Sequence, residues 1–319
     1  MTRHPSYGDV TGEYLALRRG AALVPESHEV IWVRGPDTVS FLDGLLSQAI
    51  AELDIGDVSR SLLLSPQGKL RATLVALRSD DGVGLVSSPG VGAAVIADLN
   101  RFKIRVDATI EPAPTVLDSV VGPEAAGALA RAGYDPPVPG AWVRTAKGIV
   151  ATASFGSAGL PRYLISTDIG GTLVDSGVSR AGDLAATTVR IEAGEALVGV
   201  DIDERTIPQE ADLVEGAVSF TKGCYLGQEL VARIDSRGRV NRHLRGLVIT
   251  TNVLPPPGAE VMVGDTTVGS ITSVGESLDL RAPVALALIR REASPGDHVT
   301  VRWEGGATSA VVQELPLIR

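Results

Sequence analysis

Beyond Arg245 the chain breaks into short β-branched runs, and this constrains the fold more than anything upstream. GLVITT, AEVMVG, TTVGSITSV, VALALI, HVTVRW and SAVVQEL are separated by PPPG, GDT, SPGD and EGG. Val, Ile and Thr lose rotamer freedom in a helix but fit a pleated strand, and Gly/Pro/Asp clusters turn the chain. Runs at this spacing predict a small all-β unit of barrel or sandwich type. That unit occupies 243–319 and leaves 1–242 for a separate region. A chain of 319 residues exceeds one ordinary core, so two or three structural units are expected.

The region 1–242 mixes strand and helix patterns in an α+β manner. VIWVRG (30–35) reads as a strand ending in a Gly-Pro turn. DTVSFLDGLLSQAI (37–50) reads as a helix, with Asp37 as N-cap and Val39, Leu42, Leu45, Leu46 and Ala49 at helical spacing. Residues 59–88 read as consecutive strands turning at SPQGK and SDDG, and 90–104 as a helix. A strand over 106–117 ends at prolines, and GPEAAGALARAGY is a short helix. The proline-rich YDPPVPG that follows is a candidate internal boundary. AWVRT and PRYLIST are further strands, a helix covers much of 172–186, and 190–213 mixes a short element with loop. No fixed-period repeat is visible.

The net charge of −9 and pI of about 5.0 oppose tracking of a phosphate backbone, so no direct nucleic-acid partner is expected. A small anionic ligand in a local basic pocket is compatible with them. One cysteine, Cys224, excludes an intramolecular disulfide. No signal-like apolar run follows Met1, and no segment reaches bilayer-spanning length, so a cytoplasmic protein without a membrane partner is expected. A monomer is the default. His4, His28, His243 and His298 show no metal-ligand spacing with each other or with Cys224, so no metal is expected.

Cys224 lies in TKGCYLGQELVAR (221–233). Gly223 and Gly227 permit a tight loop, and a helix is expected to start near Gly227. Glu229 and Arg233 stand at i and i+4 on it. A thiol near a helix N-terminus, two residues from Lys222, is one that neighbouring charge can activate. The alternative is a small buried hydrophobe in a glycine-rich turn, and the residues alone leave both open.

The string Lys222-Gly223-Cys224-Tyr225-Leu226-Gly227-Gln228-Glu229 resembles the signature of the YgfZ family, folate-binding proteins of iron–sulfur protein maturation and repair. Gly35-Pro36-Asp37, Pro66-Gln67-Gly68-Lys69, Arg190-Ile191-Glu192-Ala193-Gly194 and Ile207-Pro208-Gln209-Glu210 are similar too, so the resemblance spans about 25–315. The wider superfamily includes the glycine cleavage T-protein, a tetrahydrofolate-dependent aminomethyltransferase. The resemblance implies a T-protein-like ring of two α+β subdomains with mainly antiparallel sheets, plus a C-terminal β-barrel, around a folate channel. It implies tetrahydrofolate or a derivative as ligand, and iron–sulfur proteins or assembly factors as partners. Through them the chain would act indirectly on tRNA modification. Cys224 would be the working thiol and Lys222 its tuning lysine.

By the same resemblance Glu192 would accept the adjacent N–H donors of a pterin, which a carboxylate can do with both oxygens. Arg190 and Arg233 would meet the anionic glutamyl tail or form internal ion pairs. Two departures bear on this. Aminomethyltransferases carry an aspartate where this chain has Thr73, and a threonine cannot supply that carboxylate. Site tryptophans of some members correspond here to His28 and Ala186, with Trp32 off register. A one-carbon transferase and a scaffold without folate binding therefore stand as alternatives. Asp168-Ile-Gly-Gly-Thr172 reads as a turn rather than a phosphate loop, and Gly82-Val-Gly84 is not a dinucleotide fingerprint. Asp201-Ile-Asp203-Glu204 reads as a solvated loop, with Asp201 able to pair with Arg205 or Arg233.

Overall fold

The computed structural model describes residues 4–157 and 159–318. After α1 (Val10–Arg19) the chain builds β1 (Ala22–Arg34), α2 (Thr38–Asp43), β2 (Val58–Leu64), β3 (Leu70–Arg78), β4 (Gly82–Ser87) and α3 (Gly92–Phe102). It then repeats the plan. β5 (Thr109–Val121), α4 (Ala125–Arg131), β6 (Trp142–Thr145), β7 (Gly148–Phe155), β8 (Leu160–Ser166) and α5 (Thr167–Asp175) follow in the same order. In each half a long strand meets Gly-Pro and then a short helix. The halves join along β1 and β5, giving the order β2-β3-β4-β1-β5-β8-β7-β6, in which the second half mirrors the first. β9 (Ser179–Arg180) adds to β1 in parallel as the ninth strand.

The two outermost strands are brought back together. Val58 N–H donates to the Gly140 carbonyl at 2.7 Å, and Trp142 N–H to the Gly56 carbonyl at 2.8 Å. The sheet is therefore curled, and its open edges are partly covered. Strand alternation sorts residues between its faces. Along β3, Ala72, Leu74 and Ala76 are buried while Arg71, Thr73 and Val75 are half-buried. Ala72 and Leu74 pack with Ile31 and Val33 under Leu42, Leu46, Val95 and Leu99 of the α2 and α3 region. The second half buries Val120, Val150 and Ile165 under Leu129, Ile169 and Leu173. The other face carries Val30, Trp32, Val86, Trp142 and Leu164.

α6 (Asp183–Ala193) packs against α1 and the C-terminal unit, and nearly all its side chains from Ala185 onward are buried. α7 (Gln228–Arg237) leads into that unit. There β10 (Arg242–Ile249), β11 (Glu260–Val263), β12 (Thr266–Ser277), β13 (Ala282–Arg290), β14 (His298–Trp303) and β15 (Gly306–Gln313) form a closed six-stranded barrel, β10-β13-β12-β11-β14-β15. Leu247, Val261, Ile271, Ala287, Val301 and Val312 fill it. Among the described residues no helix is long and apolar enough to cross a membrane.

Three local expectations change. The helix expected over 37–50 stops at Asp43, because the carbonyls of Asp43, Leu46 and Gln48 turn to the Lys222 ammonium instead of closing helical bonds. The strand expected to stop at its prolines runs through Pro112 and Pro114, at a register irregularity with β1 where a ladder donor is dispensable. The helix expected over 172–186 is split into α5 and α6, with β9 between them, and α5 takes in Asp168–Thr172, which was expected as a turn. The twofold plan is a repeat of topology; its two copies share little sequence beyond Gly-Pro.

Candidate functional site

The apolar face of the curled sheet ends in a cavity of about 540 Å³. Its floor comes from the sheet: His28 on β1, Arg60 on β2, Thr73 and Val75 on β3, Val86 on β4, Arg162 and Leu164 on β8. Its roof comes from the 194–197 and 209–215 loops, from His243 and Arg245 on β10, and from the C-terminal tail at Glu314 and Leu315. The tail is fixed by Leu317 N–H donating to the Glu192 carbonyl at 2.8 Å. Gly194, which ends α6 at φ 74°, leaves the space: a Cβ there would lie 2.8 Å from Leu315 Cβ.

The floor is electrostatically organised. Arg162 Nη1 donates to Glu195 Oε1 at 2.9 Å and its Nη2 to the Ser154 carbonyl at 2.8 Å. Glu195 Oε2 also accepts the Gly156 N–H at 2.7 Å. Burial works against the Arg162 charge, but Glu195 and Glu26 outweigh it and raise its pKa. Glu26 is buried, and burial alone would raise its pKa. His28 and Arg162 prevail and hold its carboxyl well below the usual range. Glu26 Oε2 lies 2.9 Å from His28 Nε2 and accepts the Ser119 hydroxyl. Asp118, also buried, is shifted upward by burial and accepts the Ser27 N–H at 3.1 Å. On the roof, burial and then Arg245 push the His243 imidazole below its ordinary range. Among the described residues, Arg60 and Arg245 have no carboxylate within ion-pair distance. Gln209 and Arg162 each keep a buried polar atom, Oε1 and Nε, without a hydrogen-bond partner.

Several residues expected at a ligand lie elsewhere. The Glu192 side chain is fully buried beside α1: the Tyr14 hydroxyl donates to Oε1 at 2.7 Å, and Arg18 Nε is 3.7 Å from Oε2. Burial raises its pKa. One helical turn places Glu192 away from the cavity, and Glu195, just past the αL glycine, lines it. Arg190 belongs to a buried junction. Its guanidinium meets Asp201 Oδ2, Ser273 Oγ and the Glu195 carbonyl, each at 2.6 Å. Asp201 is thereby no part of a solvated loop, and Arg205 pairs with Asp203 instead. Arg233 is exposed on α7, outside the cavity lining. Ala186 is buried against α1, and Trp32 packs on Trp142 further along the floor. Of the expected ligand residues, His28 lines the cavity, as does Thr73 at the departure on β3.

The cysteine loop forms a second locus. Cys224 is exposed. It precedes the first turn of α7, which starts at Gln228, so the helix terminus bears on it less than expected. Lys222 has its ammonium engaged elsewhere. Its side chain is 2% exposed, its ammonium donates to the Asp43 carbonyl and, at 3.0 Å, to those of Leu46 and Gln48, and Asp43 Oδ1 lies 3.3 Å away. An ammonium has three donors, and all are used. Tyr225 is buried with its ring 5.4 Å from that ammonium, and burial pushes its hydroxyl up to about 12. Gln228 Oε1 accepts the Tyr225 N–H at 3.1 Å, and Glu229 is exposed. Only Gly227 of the two glycines has positive φ; a Cβ there would lie 2.6 Å from the Ser65 carbonyl and 3.0 Å from Gly68 Cα. The Pro66–Lys69 turn and the cysteine loop, far apart in sequence, are thus one packed unit.

Sequence reasoning missed Arg162, Glu195, Glu26, Gln209 and Arg245. Glu195 directly follows the Arg190–Gly194 motif, and Gln209 lies inside Ile207–Glu210. Arg162 and Glu26 carry no local signal, because only the curled sheet brings them together.

The glycine cleavage T-protein C-terminal barrel domain family matches residues 242–318. The tRNA-modifying protein YgfZ of Sodalis glossinidius is 30% identical over 75% of this chain and 75% of its own length. An aminomethyltransferase of Nostoc sp. is 28% identical over 98% of this chain and 89% of that protein. The crystal structure of the glycine cleavage system aminomethyltransferase T from Bartonella henselae superposes with a TM-score of 0.87 at 26% identity, covering 97% of this chain and 89% of that one.

Proposed function

The chain belongs to the YgfZ family, and we propose that its cavity binds a reduced folate in an accessory role supporting tRNA modification through iron–sulfur proteins. The observation that carries the ligand reading is the cavity itself, about 540 Å³ in volume, with Arg60 and Arg245 lacking carboxylate partners and an Arg162–Glu195 pair fixed in its wall. Volumes of roughly 300–1,000 Å³ suit ligands of this size. The free guanidiniums suit the carboxylates of a glutamyl tail. Glu195, whose oxygens each retain a lone pair, takes the pterin-facing role expected of Glu192.

Thr73 lines the floor without a carboxylate, which supports an accessory role over aminomethyl transfer. Exposed Cys224 is then the point of contact with an iron–sulfur protein or assembly factor. The first test is anaerobic calorimetry with tetrahydrofolate. Saturable binding is expected, weakened about 10- to 100-fold by Arg245→Gln or Glu195→Gln, as for loss of one charged hydrogen bond. No binding at high concentration overturns the reading. Aminomethyl transfer is the second reading, favoured by the near-full-length similarity to the Nostoc aminomethyltransferase. Turnover of tetrahydrofolate with an aminomethyl donor would establish it.

A further inference from the structure

β1 carries an irregularity that serves no evident packing purpose. Val24 pairs with Ser119, yet His28 pairs with Leu117, so β1 spans four residues where β5 spans two. The bulge contains Ser27 at φ 56°, a left-handed conformation that a non-glycine residue adopts at a cost. Asp118 holds it there by accepting the Ser27 N–H at 3.1 Å. The bulge turns the Glu26 carboxylate inward, where it is 8% exposed, and places His28 on the cavity. Bulges of this kind re-aim side chains beside functional sites.

Glu26 is kept ionised by His28, Arg162 and the Ser119 hydroxyl, so it can only accept hydrogen bonds. Its oxygen lies 2.9 Å from His28 Nε2 and therefore fixes the proton on that nitrogen. Nδ1 is left as the exchanging atom. The other sheet side chains on the cavity cannot take this part: Arg60 and Arg162 keep their protons, and Thr73 has none to exchange near neutrality. On the roof, burial and then Arg245 push the His243 imidazole below its ordinary range, which makes it the poorer proton donor of the two histidines. Glu195 is tied to Arg162 and the Gly156 N–H, and Glu210 to Arg242.

We propose that His28 is the proton-transferring group of this cavity, acting on a basic nitrogen of the bound ligand, with Glu26 as its positioning residue. This rests on the folate reading above. In the forward step the Nδ1–H bond of the imidazolium breaks and a ligand N–H bond forms. The imidazole left behind is neutral and keeps its Nε2–H on Glu26. Water returns the proton, and no electrons change hands. His28 acts on Glu26 of its own strand and on Asp118 of β5; Arg162 of β8 and Arg60 of β2 share its cavity, and the roof brings Glu195, Glu210, Asp212, Glu215, His243, Arg245 and Glu314 to it.

The test is calorimetric titration of the full chain with tetrahydrofolate in buffers of different ionisation enthalpy, near neutral pH. The wild type is expected to give a buffer-dependent heat, reporting a fraction of a proton exchanged per ligand bound. His28→Gln is expected to bind with a buffer-independent heat. Glu26→Gln, which preserves shape but not charge, is expected to reduce the exchange and to release the Nε2–H tautomer seen by imidazole nitrogen NMR. Binding without buffer dependence in the wild type, or an undiminished dependence in folded His28→Gln, overturns the proton role and leaves the folate reading standing. Failure of the wild type to bind tetrahydrofolate at all overturns both.

Discussion

Replacing Arg190 by methionine would test whether α6 and the barrel are held together by a buried charge pair. The Arg190 side chain is 6% exposed and that of Asp201 0%. Asp201 accepts from Arg190 and Thr272 at 2.6 Å, from Ser273 at 2.7 Å and from Leu197 N–H at 2.9 Å. Arg190→Met removes the only cation in that set and strands a buried carboxylate among neutral donors. Breaking such a pair from one side costs about 3–5 kcal/mol. With a urea dependence of about 3 kcal/mol per M, the midpoint should fall by about 1–2 M. Adding Asp201→Asn removes the stranded charge but keeps an acceptor for Leu197 N–H, so the double variant should recover more than half of the loss. Urea unfolding followed by far- and near-ultraviolet dichroism measures both, and coincident transitions license the comparison. A loss under about 1 kcal/mol, or double-variant losses that simply add, would refute the junction.

Further outcomes follow from the site. Glu192→Gln should leave tetrahydrofolate affinity unchanged while Glu195→Gln weakens it; the reverse order would return the pterin role to Glu192. The Glu192 pKa is raised by burial, so its stabilising contribution is complete below the ordinary carboxylate range and is lost as pH rises through its folded value. Glu192→Gln should therefore melt higher than wild type near neutral pH and equally in mild acid, measured by thermal scans. Lys222→Met should destabilise by about 2–4 kcal/mol, since it orphans inward-turned carbonyls, yet alter Cys224 alkylation by iodoacetamide less than about twofold. Gly227→Ala should lower the urea midpoint, because its Cβ would meet the Ser65 carbonyl at 2.6 Å in a positive-φ conformation. Cys224→Ser should unfold like wild type within about 0.5 kcal/mol but fail to complement a strain lacking the protein.

The barrel was legible because each of its strands announces itself locally: β-branched runs and turn clusters specify both the element and its ends. The strand pair at the Pro66–Lys69 turn was legible for the same reason. What sequence hid was long-range. The helix over 37–50 had the right apolar period, and only Lys222, about 180 residues later, withdraws the carbonyls that would have continued it. Glu192 was singled out because its motif is recognisable, but which carboxylate faces a cavity depends on one helical turn and on Gly194. Arg162, Glu26 and His28 converge because β1 pairs with β5 through a bulge and β8 pairs with β5 on its other side. No local pattern encodes that.

The segment that roofs the cavity has a consequence for how the protein is made. Ribosomes deliver the chain from its N-terminus, and at about 5–20 residues per second the curled sheet emerges well before the barrel strands. Leu315 and the Leu317 N–H bond to Glu192 follow β15, so the cavity is roofed only after every barrel strand has been synthesised. A nascent sheet cannot capture ligand through the finished site.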